Sequence, residues 1–258
     1  MKTQQTTKFW EIKLSAEDAK TADIFIYGDI VSSQWYEEDT TALSFKNDLD
    51  AAGDVSVINL YINSPGGNVF EGVAIYNMLK RHKAKVNVHV DALAASIASV
   101  IAMAGDTVSM PKNSMLMIHN PWSFAVGNAA ELRKIADDLD RIGQSVKQTY
   151  LQKAGSKLTD KKLQEMLDAE TWLSADEAYA YGLCDVVLEA SQVAASISDE
   201  WLNRYKNVPK QLKNQAEKDQ KAEKTGISAQ EMEIRKRISE EAKANLVYID
   251  SILGGLIR

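Results

Sequence analysis

Hydrolysis of an acyl bond by a serine requires an exposed hydroxyl, a base in reach of it, and backbone N–H groups aimed at the developing oxyanion. Ser96 meets the first need by position: it closes Ala94-Ala95-Ser96, just after Val86, Val88 and Val90 alternate with Asn87, His89 and Asp91. From Ile97 to Ala104 every residue but Ser99 is apolar, and Gly105 supplies a stop. That order reads as strand, turn and buried helix, with Ser96 at the helix start, where free N–H groups and positive potential gather. The Ile97 N–H is one natural oxyanion donor. The Gly67 N–H, in Asn63-Ser64-Pro65-Gly66-Gly67 after another apolar run, is the second, because a residue without Cβ lets a substrate approach closely. His119 ends the apolar run Met115 to Ile118, which brings its ring out at a strand end as a general base. Taken singly, each has a structural reading too: Ser96 as a small residue in a tight turn, His119 as a hydrogen-bonded structural histidine. Of the three histidines, His82 sits in a basic helix end and His89 on the polar side of its strand, so both read as surface or structural. Cys184 reads as a small buried residue entering the last strand.

The elements that must hold these residues follow from periodicity. Residues 55 to 62 form a β-branched apolar run, the pattern of a strand covered on both faces. After the glycine turn, Val69, Val73, Tyr76 and Leu79 recur at helical spacing up to the basic Lys80-Arg81-His82-Lys83. Short strands fit Thr107 to Met110 and Met115 to Ile118. The stripe Leu132, Ile135, Leu139, Ile142 and Val146 marks an amphipathic helix over 129 to 152 that needs a partner surface. Ser174 and Glu177 form a capping box opening a further helix, closed by Gly182 before the strand-like Asp185 to Leu188. Alternating strands and helices predict an α/β fold with right-handed crossovers on a mainly parallel sheet, whose functional loops share one edge.

A chain of 258 residues, 45% of them hydrophobic, is long enough for one substantial core plus an appendage. No apolar run reaches the ~18 residues of a membrane helix, and the start MKTQQTTKFWEIK lacks a secretory apolar stretch, which predicts a cytoplasmic protein with no membrane partner. A single cysteine provides neither an internal disulfide nor a zinc cluster, in keeping with a reducing compartment, and no metal or cofactor is implied. The net charge of −6 argues against nucleic acid as a ligand. The core fold ends near Glu189. Residues 203 to 225 are too polar to pack and read as a linker or solvated helix, whereas Met232, Ile234, Ile238, Leu246, Ile249 and Ile252 restore an amphipathic stripe suited to docking. Three segments result: an N-terminal segment 1–23, a catalytic domain 24–190, and a polar linker with helical extension 191–258.

The runs INSPGGNVFEGVAIYNML, DALAASIASVIAMAG, MPKNSMLMIHNP and TWLSADEAYAYGLCD, in this order, resemble the proteolytic subunit of the Clp protease. The resemblance runs from IFIYGDI at 24 to 30 to about Glu189. It implies a spiral of βαβ units of the crotonase type, a serine peptidase acting on protein or peptide substrates, and assembly into a homo-oligomeric ring. By position it implies Ser96 as nucleophile, His119 as base, and Gly67 and Ile97 as oxyanion donors. The family's aspartate falls just before the aromatic-Leu-Ser-Ala motif, where this chain has Glu170; Asp168, two residues earlier, is the alternative acid. The start without the family's axial-loop sequence, the WLSADEA and SMLMIHNP phrasing and the long C-terminal segment are similar to the phage and prophage members that mature capsids by cleaving coat and scaffold precursors. The alternatives are a bacterial Clp-type subunit working with an ATP-dependent unfoldase, or an inactive structural component of a shell. A crotonase acyl-CoA enzyme would share the fold but needs no serine nucleophile.

Overall fold

The computed structural model describes residues 8–16, 18–32, 40–190 and 204–209. The stripe from Met232 to Ile252 lies outside the described residues, as does most of the segment 191–258.

The architecture is α/β: an 8-stranded sheet with helices. Its spine is β2 (Thr21–Tyr27), β3 (Val57–Ser64) and β4 (Lys85–Ala95), parallel neighbours joined by crossovers through α1 (Ala42–Ala51) and α2 (Val69–Arg81). β1 (Trp10–Leu14) lines β2 antiparallel, so the sheet already begins upstream of residue 24, and Phe9 and Trp10 join the core. β5 (Thr107–Pro111) and β8 (Val186–Leu188) extend the far side, both parallel.

Period-two side-chain alternation explains the layering. Ile24 and Ile26, Ile58, Leu60 and Ile62, and Val86, Val88 and Val90 are all buried. Removing each such side chain from water contributes about 1.5–3 kcal/mol. The opposite face differs from the expectation that β3 is covered on both sides. Burial along β3 alternates, and the half-exposed face carries Phe25, Tyr61 and His89 stacked in a row across three strands. The β-branched run hid this alternation because Val57, Asn59 and Tyr61 include residues that suit a wet, aromatic face as well as a dry one.

β4 is the long strand, and it changes partners. Its first part pairs with β5, while Leu93, Ala94 and Ala95 pair with β6 (Met115–Ile118). β6 in turn pairs antiparallel with β7 (Thr171–Ser174). The helix after Ser96, α3 (Ile97–Ala102), is shorter than the apolar run suggests, because the backbone turns off at Met103 and Ala104 to reach β5. α4 (Ala129–Ala154) begins at a capping box of Asn128 and Glu131. Its second half buries Val146, Tyr150 and Ala154, whereas Leu132 in the first half is exposed. α5 (Asp160–Asp168) leads into β7, and α6 (Ala175–Ala180) opens at the Ser174–Glu177 capping box. No helix among the described residues is long and apolar enough to cross a membrane.

Candidate active site

Strand register brings the site together. The parallel pairs Leu93↔Met115, Ala94↔Leu116 and Ala95↔Met117 end with the Ser96 N–H donating to the Met117 carbonyl at 2.9 Å. Ser96 and His119 therefore leave adjacent strands at the same edge, and His119 Nε2 lies 2.8 Å from Ser96 Oγ. The antiparallel pairing of β6 with β7 ends at Ile118↔Thr171, so that His119 directly follows, and Glu170 directly precedes, the last paired residues. The neighbouring ends of β4 and β6 thus present a hydroxyl and an imidazole in contact, with the Glu170 carboxylate at the nearby start of β7.

Two of these residues hold backbone angles that L side chains rarely adopt. Ser96 has φ 54° and ψ −128°, and Glu170 has φ 49°. Such positions cost on the order of 1–3 kcal/mol and persist only where the surroundings impose them. At Ser96 the surroundings are dense. A Cβ on Gly66 would come within 2.7 Å of the Ala95 carbonyl and of Ser96 Cβ, so only glycine admits the approach of the two turns. Ser99, fully buried on α3, donates its hydroxyl hydrogen to the Ser96 carbonyl at 2.6 Å and accepts from Tyr150 Oη at 2.7 Å, tying the turn to α4. In the sequence this pair leaves one signal, Ser99 as a lone polar residue in an apolar run.

The two oxyanion candidates lie on either side of Ser96. Ile97 is the first residue of α3, so its N–H has no intrahelical acceptor. With six residues α3 supplies little macrodipole, and the local N–H matters more than the helix as a whole. Gly67 forms a parallel bridge with Ile30, in which Ile30 bonds to the Gly66 carbonyl and the Asn68 N–H. In a parallel ladder that leaves the Gly67 N–H facing the other flank, where β4 runs into Ser96. A Cβ on Gly67 would meet the Ile30 carbonyl at 2.0 Å.

The two acids behave differently. The Asp168 carboxylate accepts from Asn120 Nδ2 and from Gln164 Nε2, both at 2.8 Å, at an exposed helix end. Glu170 is half-buried and close enough to His119 to act on its charge. Burial pushes the His119 pKa below the usual 6.5, Glu170 pulls it up, and Lys206 pushes it down. Among the described residues the ring's hydrogen bond is the one to Ser96, and the Glu170 carboxylate accepts instead from the Asn207 N–H at 2.7 Å.

Asn207 belongs to residues 204–209, which the sequence places within a polar linker but which lie over this site. Arg204 forms a bidentate pair with Asp29, at 2.9 and 2.7 Å. Tyr205 donates its hydroxyl hydrogen to the Pro65 carbonyl and sets its ring edge-on to His119 and Trp172, with centroids 5.7 and 5.6 Å apart. Asn207 Nδ2 donates to the Ala169 carbonyl at 2.7 Å, and Val208 is buried. The segment has little apolar content, so hydropathy gave no signal of its docking.

The remaining candidates stand apart. His89 stacks on Tyr61 at 5.0 Å, and His82 Nδ1 accepts from the Ala84 N–H at the end of α2. Cys184 is buried and its thiol pKa is pushed up, which keeps it from acting as a thiolate. Beside Ser96 and His119 opens a small recess walled by Val69, Ile97, Val100, Pro121, Val146 and Tyr150.

The architecture is a sheet of successive βαβ units with Ser96 and His119 gathered at one edge. The model of the Clp protease family matches residues 12–191, and the chain belongs to that family of serine-type peptidases acting on protein substrates.

Proposed function

We propose that this chain is a serine endopeptidase in which Ser96 is the nucleophile, His119 the general base and Glu170 the orienting acid. The observation that carries this reading is the 2.8 Å contact between His119 Nε2 and Ser96 Oγ at the mouth of an apolar recess. In acylation, Ser96 Oγ attacks the peptide carbonyl as its proton passes to His119 Nε2, and the Ile97 and Gly67 N–H groups receive the oxyanion. His119 then gives that proton to the leaving amine; the acyl ester on Ser96 is hydrolysed by water through the same base. The narrow recess suits only a small apolar side chain on the acyl side of the cut, since its walls carry Val, Ile, Pro and Tyr and no charge. Glu170 is preferred to Asp168 because it directly precedes Thr171, the register partner of Ile118, and its charge acts on His119, while Asp168 is engaged by Asn120 and Gln164.

The subtype we propose is a phage or prophage head maturation protease cutting capsid or scaffold precursors, working as a ring of identical subunits. It rests on the phrasing of the WLSADEA and SMLMIHNP segments and on the long chain beyond the family domain. The ring reading is supported by the exposed Trp122, Phe124 and Val126 leading into the half-uncovered stripe of α4.

Covalent labelling with a fluorophosphonate tests the chemistry: the probe should add to Ser96, and an unlabelled Ser96 in folded protein would refute the assignment. Co-expression with coat and scaffold precursors tests the subtype, which fails if an active peptidase leaves them uncut.

A further inference from the structure

Residues 204–209 touch the two groups that must support the nucleophile and leave Ser96 itself partly open. The contacts are of a kind that recognises peptide. A carboxylate, Asp29, grips the guanidinium in a fork; a carbonyl, that of Pro65, takes the tyrosine hydroxyl; Trp172 and His119 flank the ring; and Glu170 and Ala169 receive main-chain and side-chain N–H groups of Asn207. Pro65 immediately precedes the glycines of the proposed oxyanion turn, so the tyrosine bridges that turn to the far side of His119.

The occupied state is poorly suited to acyl transfer. His119 must become an imidazolium during attack, and that charge is stabilised when the acid accepts from its Nδ1–H. Here a Glu170 oxygen is committed to the Asn207 N–H, and Lys206 opposes positive charge on the ring. In this state the Trp172 Nε1 hydrogen is buried with no acceptor among the described residues.

Building on the peptidase reading above, we propose that Asp29, Pro65, Trp172 and Glu170 form a peptide subsite for a basic–aromatic pair, and that Arg204 and Tyr205 fill it in cis as an autoinhibitory strap. The strap is a competitor of any substrate or partner segment that carries the same pair.

The test uses full-length chain with Arg204→Glu and Tyr205→Ala together, following both fluorophosphonate labelling and cleavage of a short peptide with an apolar residue before the cut. Labelling and kcat/KM should rise about tenfold, the factor set by roughly 1.4 kcal/mol of lost closing energy. A synthetic RYKNVP peptide should slow the double variant again, and its Tyr→Ala form should not. Arg204→Asp combined with Asp29→Arg should restore slow labelling, which a merely structural loss would not. Folded variants that label and cleave at the parental rate overturn the strap while leaving the peptidase intact. Variants that lose activity along with thermal stability overturn it as well, making the segment part of the catalytic fold. If no form labels, the assignment of Ser96 falls and the strap with it.

Discussion

Ser96 and His119 stand at the ends of strands whose side chains are sunk in the sheet core, while Glu170 stands after the last turn of α5, held by a short antiparallel strand and by residues 204–209. On the first flank, buried Leu93, Ala94, Ala95, Leu116, Met117 and Ile118 fix register, because a slip of one residue would turn apolar side chains to water. On the second flank the position of the acid depends on one short ladder and on polar contacts at the surface. The proposed nucleophile and base are thus preorganised by packing, and the proposed acid is left adjustable. A site made this way keeps its geometry while its competence is altered through one carboxylate.

The largest effect that tests this contrast is loss of the packed pair. Ser96→Ala and His119→Ala should each lower kcat/KM by at least about 10⁴-fold with the melting temperature little changed, since both side chains project from an already formed edge. Activity of purified Ser96→Ala near the parental level would remove the first flank from the mechanism altogether.

The acid comes next. Glu170→Gln should cost about 10²-fold in kcat, and Asp168→Asn less than about threefold, because the Asp168 carboxylate holds Asn120 and Gln164 rather than His119. The reverse ranking would place the acid two residues earlier and break the register argument.

The same contrast explains what could be read from residues alone. The α/β class, the turn at Ser96, the strand end at His119 and the capping box at Ser174 were legible, because periodicity and turn chemistry are local. β1, β2, α1, α5 and β7 were not singled out. β7 is four residues long and α5 carries little apolar weight beyond Leu163, Met166 and Leu167, so neither has a strong period. Glu170 could be approached by resemblance, yet its nearness to His119 depends on the pairing of β6 with β7, a long-range contact that no local pattern encodes. Docking of 204–209 is similar: an ion pair, a phenol and backbone amides hold it, and these leave no mark in hydropathy.

A smaller effect concerns pH. The His119 pKa is lowered, chiefly by burial, so its neutral, basic form should persist below 6.5, and the acid limb of kcat/KM should fall at a pH below that value. Glu170 raises this pKa, so Glu170→Gln should move the limb lower still; Lys206 lowers it, so opening the strap should move the limb up. For stability the sign is the same as for any group whose protonated form is disfavoured by folding. The contribution of neutral His119 is present above the unfolded value of 6.5 and is lost as pH falls from there through the lower folded value. A limb that stays fixed in both variants would show that neither charge reaches the ring.

The smallest effect isolates the strain on the adjustable flank. α5 ends with the Ala169 N–H donating to the Glu165 carbonyl and the Glu170 N–H to that of Leu167, and Glu170 follows at φ 49°, where glycine is the usual residue. Comparing Glu170→Gly with wild type would mix relief of strain with loss of the bond from Asn207. Comparing it with Glu170→Ala does not, since both variants lack the carboxylate and differ in the Cβ that makes the left-handed angle costly. The glycine variant should be more stable than the alanine variant by about 1 kcal/mol, even after the greater unfolded-state freedom of glycine is counted. Both should show the activity loss of Glu170→Gln. Urea denaturation of the two proteins reads the difference directly, with an unchanged m-value as the sign that only stability has moved. Equal midpoints would mean that the helix end relaxes at no cost, and the retention of a carboxylate at a glycine-like position would then lose its energetic argument for function. A gap of the expected size would mean that the chain carries strain at residue 170 in order to hold an acid beside His119.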